Sequence, residues 1–145
     1  MLRLDNQLCF ALYSASLTMT KVYKPLLKSL GLTYPQYLAM LVLWERDGVT
    51  VSELGARLFL DSGTLTPLLK RMEAQGLLQR ERSAEDERQV LVTLTPAGAK
   101  LKQRAGELPV EILRASQCSL NEVAELTRRV QKLRGGLERS VEEAA

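Results

Sequence analysis

The sequence predicts a mainly helical fold interrupted by one small β-hairpin (α+β), and three observations predict it. Helix-opening signals recur along the 145 residues. Apolar residues keep helical spacing between those signals. Only around residues 77–95 does the period drop to two. An apolar fraction of 46% supplies enough hydrophobic surface for a core and argues against wholesale disorder. A chain of this length fits one domain, or one domain with appended helices.

Residues 5–29 read as one long helix. Leu8, Leu12, Ala15, Met19, Val22 and Leu26 share a face, Lys21, Lys24 and Lys28 lie on the polar side, and Gly31 follows the end. Pro25 predicts a kink or a break there. Thr33-Tyr34-Pro35-Gln36, Thr50-Val51-Ser52-Glu53 and Ser119-Leu120-Asn121-Glu122 carry the capping-box pattern. In it a hydroxyl and a side chain three residues on satisfy free N–H groups reciprocally. Thr95-Pro96 sets a hydroxyl cap before a proline at the first helical position. These points open helices over about 34–46, 51–58, 120–141 and 96–115.

A further helix opens at Asp61 or Ser62 and runs to residue 75, with Gly76 as its C-terminal cap. Pro67 costs little if that helix starts near Thr64 and bends it if it starts at Asp61. Residues 77–82 and 89–95 are short runs rich in branched apolar side chains, with Val90, Val92 and Leu94 alternating. The polar stretch 83–88 between them makes a hairpin with an exposed tip.

A short helix, a tight turn, a second helix and then a hairpin make a winged helix-turn-helix over about residues 34–95, within a single domain of residues 1–145. The helices of residues 1–30 and 96–145 carry apolar faces that so small a domain cannot cover. The stripe of Val123, Leu126, Val130, Leu133 and Leu137 is the clearest, and pairing with a second copy is its simplest use.

Such a fold points to duplex DNA. In the second helix of the motif, Leu65, Leu68, Leu69 and Met72 face the core. Ser62, Thr64, Thr66, Lys70 and Arg71, with Pro67 among them, face outward; hydroxyls and cations at a helix start suit phosphate oxygens and base edges. Arg88 stands near the hairpin tip, where a cation can enter the minor groove, and Arg80 and Arg82 flank it. Asp86 is explained if it pairs with Arg80 or Arg82 and braces the wing; Glu85 and Glu87 have no such explanation.

Other classes are excluded or weakened. The net charge of +3 and pI near 9.0 are mild for a nucleic-acid binder, so placement of charge matters more than its sum. The absence of histidine removes Ser-His-Asp and Cys-His catalysis and most zinc sites. Cys9 and Cys118 lie far apart with no metal-binding spacing, so neither metal nor cofactor nor enzymatic activity is expected. No leader is recognised and no apolar run approaches the roughly 18–20 residues that span a bilayer, so a cytoplasmic location with reduced cysteines is expected.

The run Asp86-Glu87-Arg88-Gln89-Val90-Leu91-Val92-Thr93-Leu94-Thr95-Pro96-Ala97-Gly98 resembles the wing-to-helix signature of MarR-type regulators, and Leu77 and Arg80 after Gly76 fit it too. The resemblance implies a homodimer whose two recognition helices enter successive major grooves of a pseudo-palindromic operator. Leu4-Asp5-Asn6-Gln7-Leu8-Cys9-Phe10-Ala11-Leu12-Tyr13 and the run from Asp61 to Glu73 resemble the organic-hydroperoxide-sensing branch. That branch implies a repressor whose reactive cysteine is Cys9, supported by tyrosines at Tyr13, Tyr23 and Tyr34, and released from DNA on oxidation by organic hydroperoxides. In its two-cysteine members a residue in the region of Cys118 forms an intersubunit disulfide; one-cysteine members cap the sulfur with a small thiol.

Chemistry agrees with the resemblance. Thiolate is the species that attacks peroxide. Cys9 falls in the first turns of its helix if Asp5 or Asn6 is the N-cap, near the positive end of the helix dipole. Phenol hydroxyls would favour the charged sulfur further, and Leu8, Phe10 and Leu12 offer an apolar wall for a bulky hydroperoxide. Tyr13, four residues on, shares the face of Cys9. Tyr23, fourteen residues on, is about 21 Å away along a straight helix. If Tyr13 and Tyr23 serve one sulfur, Tyr23 and with it Tyr34 come from the other subunit.

Against this stands the ordinary fate of free cysteine, which is burial; Trp44 and Phe59 are likewise read as core. The competing functions are a MarR-type repressor released by a phenolic or aromatic ligand, a thiol peroxidase without a visible base, and a pure protein-interaction module.

Overall fold

Hydroxyl or carboxylate side chains cap the starts of five of the seven α-helices, and these caps set the order of elements. The structure, a computed structural model, describes residues 1–145. Its elements are α1 (Leu8–Lys28), α2 (Tyr34–Glu45), β1 (Val49–Thr50), α3 (Val51–Leu58), α4 (Ser62–Ala74), β2 (Leu78–Arg82), β3 (Val90–Leu94), α5 (Pro96–Ala105), α6 (Leu108–Ser116) and α7 (Leu120–Ala144). They fall into two units, Met1–Gly106 and Glu107–Ala145. No helix is long and apolar enough to cross a membrane.

Two capping boxes close reciprocally, at Thr33–Gln36 and Ser119–Glu122. The third closes on one side only. Thr50 accepts from the Glu53 N–H, but the Glu53 carboxylate is drawn 2.8 Å from Arg46 instead. Thr95 caps α5 and also donates to the Gly76 carbonyl, 2.6 Å away, tying the helix start to the chain entering the wing.

Several boundaries differ from expectation. A 3-10 turn (Leu4–Asn6) precedes α1, and the N-cap is Gln7 rather than Asp5 or Asn6. The Gln7 amide donates back to the Met1 and Arg3 carbonyls and holds that turn closed. α1 runs through Pro25 without a break; the proline removes one hydrogen bond close to the helix end. The single helix expected over 96–115 is two, α5 and α6. Pro109 has no N–H to continue the α5 ladder, but in the first turn of α6 that N–H would go unbonded anyway.

The sheet has three antiparallel strands in the order β1-β3-β2, with Arg80 opposite Val92 and Val49 on its other side. β1 was not expected, because two residues are too short to show an alternation. In the first unit Met40, Leu43, Leu54, Leu65, Leu69, Met72, Leu78 and Val92 are fully buried. Phe59, expected in the core, is instead 62% exposed. It occupies the left-handed region (φ 58°) at the end of α3, where the Leu60 N–H returns to the Gly55 carbonyl at 3.0 Å. That is a helix-ending turn in which glycine is the usual residue. In the second unit α7 contributes no buried residue at all.

Candidate nucleic-acid interface and thiol site

α4 starts with Asp61 as its cap, the carboxylate accepting from the Thr64 N–H at 2.8 Å. Leu65, Leu68, Leu69 and Met72 are buried as expected, which leaves Ser62, Thr64, Pro67, Lys70 and Arg71 exposed and Thr66 half-buried. Pro67 lies inside the helix, so the Gly63 carbonyl has no helical N–H partner four residues on. The outward face of α4 is therefore a start rich in hydroxyls followed by two cations.

The wing tip is closed by short-range bonds. Ser83 is buried, and its hydroxyl accepts from the Glu85 and Asp86 N–H groups. Arg82 donates to the Glu87 carbonyl at 2.8 Å. Asp86 does not pair with Arg80 or Arg82. Its carboxylate takes the backbone N–H and the Nε of Arg88, 3.1 and 3.3 Å away, because the tip turns tightly enough to bring residue 88 back over residue 86. Asp86 braces the tip itself, and the Arg88 side chain remains 92% exposed.

Arg80, expected among the outward cations, turns inward. Its guanidinium meets Glu73 of α4 at 3.1 Å, and its backbone N–H donates to the same carboxylate at 2.9 Å. The Arg80 backbone bond and then its side-chain bond hold the Glu73 carboxyl below its ordinary range. Arg80 is thus a strut between the hairpin and α4.

Cys9 is the second residue of α1 and is exposed, as is Tyr13. Within one chain this thiol is not packed into a core. Tyr23 sits at the other end of α1, with its ring 5.1 Å from that of Tyr34 and 5.6 Å from that of Tyr37. Tyr37 in turn lies 6.5 Å from Trp44, whose indole N–H donates to the Gly98 carbonyl at 2.9 Å. Burial, then the neighbouring Tyr37 and Tyr34, pushes the Tyr23 phenol up to about 12, and burial raises Tyr34 and Tyr37 as well. All three keep their protons near neutrality.

Since α1 is unbroken, one chain does not bring Tyr23 or Tyr34 to its own Cys9. Tyr37 was not among the expected residues, although its spacing of three from Tyr34 puts both rings on one face. In the second unit Cys118 is half-buried after Gln117, which is left-handed; the thiol donates to the Ser116 carbonyl at 3.4 Å. A cavity of about 490 Å³ opens beside α1 and the loop after it, lined by Lys24, Leu27, Lys28, Leu32, Tyr34 and Pro35 among others.

The family model described as "Transcriptional regulator SarA/Rot" matches residues 21–105. The chain is 57% identical over 125 residues to the organic hydroperoxide resistance transcriptional regulator of Bacillus subtilis (strain 168), covering 86% of this chain and 85% of that one. Among solved structures it resembles AbfR of Staphylococcus epidermidis. The reduced, DNA-bound form matches with a TM-score of 0.82 at 38% identity, over 96% of this chain and 95% of the other. The disulfide form matches with a TM-score of 0.63 at 39% identity, over 90% and 92%.

Proposed function

The chain belongs to the MarR-type winged-helix transcriptional regulators, in the organic-hydroperoxide-resistance branch, and from that premise we propose that it is a DNA-binding repressor switched by oxidation of Cys9. Two copies pair through their terminal helices, which explains why α7 leaves Leu126, Val130 and Leu137 exposed. α4 of each enters a major groove of a pseudo-palindromic duplex, and Arg88 at each wing tip reaches a minor groove. The AbfR relative, 38% identical, holds DNA in its reduced form, which supports reduced protein as a DNA-holding form here.

The observation that carries the switch is the placement of Cys9: exposed, at the start of a helix, on a chain whose donor phenols sit at that helix's far end. Tyr23 and Tyr34 then serve the partner's Cys9, and the sensing site straddles the two copies. The Cys9 thiolate attacks the terminal oxygen of a hydroperoxide, the O–O bond breaks, and the alkoxide leaves as an alcohol after taking a proton. Sulfur becomes the sulfenic acid. Attack by the partner's Cys118 thiolate on that sulfur forms the S–S bond and breaks the S–O bond, and the hydroxide leaves as water after taking a proton from solvent; a small thiol does the same where Cys118 does not.

Intact mass and a non-reducing gel before and after one equivalent of an organic hydroperoxide test this, alongside duplex binding at fixed salt. A covalent dimer or a mass gain on Cys9, with loss of DNA, is expected. A Cys9→Ser protein that still releases DNA on treatment would overturn it. The cavity lined by Lys24, Lys28 and Tyr34 favours a second reading, release by an aromatic carboxylate with the cysteines incidental. It predicts unchanged mass, no response to peroxide and release by the acid.

A further inference from the structure

Oxidation at Cys9 has to move two DNA-reading elements, α4 and the wing, and the bonds around one glutamine connect them to the tyrosine end of the sensor. Tyr34 is the first residue of α2, and the box that starts this helix is Thr33 with Gln36. Gln36 is one of two buried polar residues in the chain, only 4% exposed. Its carbonyl oxygen accepts from the Thr33 N–H at 3.1 Å, and its amide nitrogen donates to the Gln75 side-chain oxygen at 3.1 Å. Gln75 is the C-cap of α4, and its own amide nitrogen donates to the Gly31 carbonyl at 3.0 Å. The C-cap of α4 therefore grips the chain on either side of Tyr34, at Gly31 in the loop before it and at Gln36 in the first turn of α2.

Two residues earlier on α4, Glu73 holds the backbone and side chain of Arg80 in β2. One end of α4 thus carries both grips, with the sensor loop on one side and the wing on the other. The loop is clamped again from α5, where Arg104 donates to the Ser29 carbonyl at 2.6 Å. A shift of Tyr34 moves the first turn of α2. Gln36 cannot lag behind without leaving a buried amide unbonded, which is costly. The motion then reaches Gln75 and α4 as a rigid element, and through Glu73 it reaches Arg80 and the wing.

We infer that Gln75, acting with Gln36, is the positioning residue that couples Tyr34 to α4 and to the wing. This deepens the redox reading and rests on it. A continuous set of hydrogen bonds links the two sites, and the energetic measure of their coupling is the change in response when one bond is cut.

The test uses a duplex selected from a random pool by the reduced full-length protein, with cumene hydroperoxide as oxidant and Cys9 oxidation followed by intact mass. Wild type is expected to lose DNA affinity at least about tenfold on oxidation, an ordinary size for coupling. Gln75→Ala is expected to show the same mass change with a loss under about threefold. Gln75→Glu keeps an acceptor for Gln36 but loses the donor to Gly31, and is expected to retain part of the response. A purely structural role would weaken reduced and oxidised binding alike and leave their ratio at the wild-type value. That ratio in both variants overturns the inference while the redox reading stands. A wild type whose affinity ignores Cys9 oxidation overturns the redox reading and this inference with it.

Discussion

α4 and α7 are written in similar amphipathic patterns and end in opposite environments. Over thirteen residues α4 buries Leu65, Leu68, Leu69 and Met72. Over twenty-five residues α7 buries nothing, and Leu126, Val130, Leu137 and Val141 stay exposed. α1 resembles α7 more than α4, since Leu27 is its only buried residue. The difference teaches that the DNA-reading head closes its core within one chain, whereas the terminal helices present apolar faces that one chain does not cover. A helical stripe declares that it needs a partner; it does not say whether the partner is the same chain or another copy.

The comparison breaks first at the core. Leu69→Ala is expected to cost about 2–5 kcal/mol in denaturant unfolding, because a fully buried leucine leaves a cavity. Val130→Asp on α7 should instead leave the helical content intact and shift sedimentation from dimer towards monomer. If both changes act alike on stability and neither alters assembly, the contrast between the two regions is wrong.

Gly98→Ala sharpens the picture of the wing root. A Cβ there collides with the Leu77 carbonyl, which is backbone and cannot swing aside. The Trp44 bond to the Gly98 carbonyl keeps the helix from retreating. A loss of about 1–3 kcal/mol is expected in the same unfolding assay. Phe59→Gly should act in the other direction, raising stability by about 1 kcal/mol through relief of the left-handed backbone. No gain in melting temperature would mean that the exposed ring stabilises the turn by as much as its backbone strains it.

The smallest effects are those of pH. Folding raises the Tyr23 phenol from 10.0 to about 12, so the folded state holds that proton more tightly. Its contribution is complete below about pH 10 and is lost as pH climbs through about 12. Tyr23→Phe should flatten the stability profile in that window. Glu73 has the opposite sign: its carboxyl is lowered on folding from 4.5, so its contribution is present above that pH and lost as acid protonates it. Glu73→Gln should flatten the acid limb, read by thermal melts across pH.

The elements that carry the candidate site were legible in the sequence, and the reason lies in range. Caps at Thr33, Thr50, Thr95 and Ser119 involve side chains three residues from the groups they bind, so their signals are local. The buried face of α4 follows from its periodicity. Partner choice was harder to read. Asp86 bonds Arg88 and Arg80 bonds Glu73, because those pairings depend on how the wing tip turns and how β2 lies on α4. The break between α5 and α6 was written in Gly106 and Pro109, but an apolar pattern running across it masked both. Tyr37 and Gln75 carry no motif; they became visible only when α1, α2 and α4 were packed together.

The sequence by itself determined the order of helices and hairpin, the buried face of the reading helix and, through resemblance, the family. Those properties depend on residues a few positions apart, where geometry is set by helix and strand period. Only the tertiary structure decided that Cys9 lies open at one end of an unbroken helix while Tyr23, Tyr34 and Tyr37 cluster at the other. It also decided that Arg80 faces Glu73 and that Phe59 leaves the core. These outcomes turn on contacts between elements, where several partners of equal chemistry compete and distance in space selects one of them.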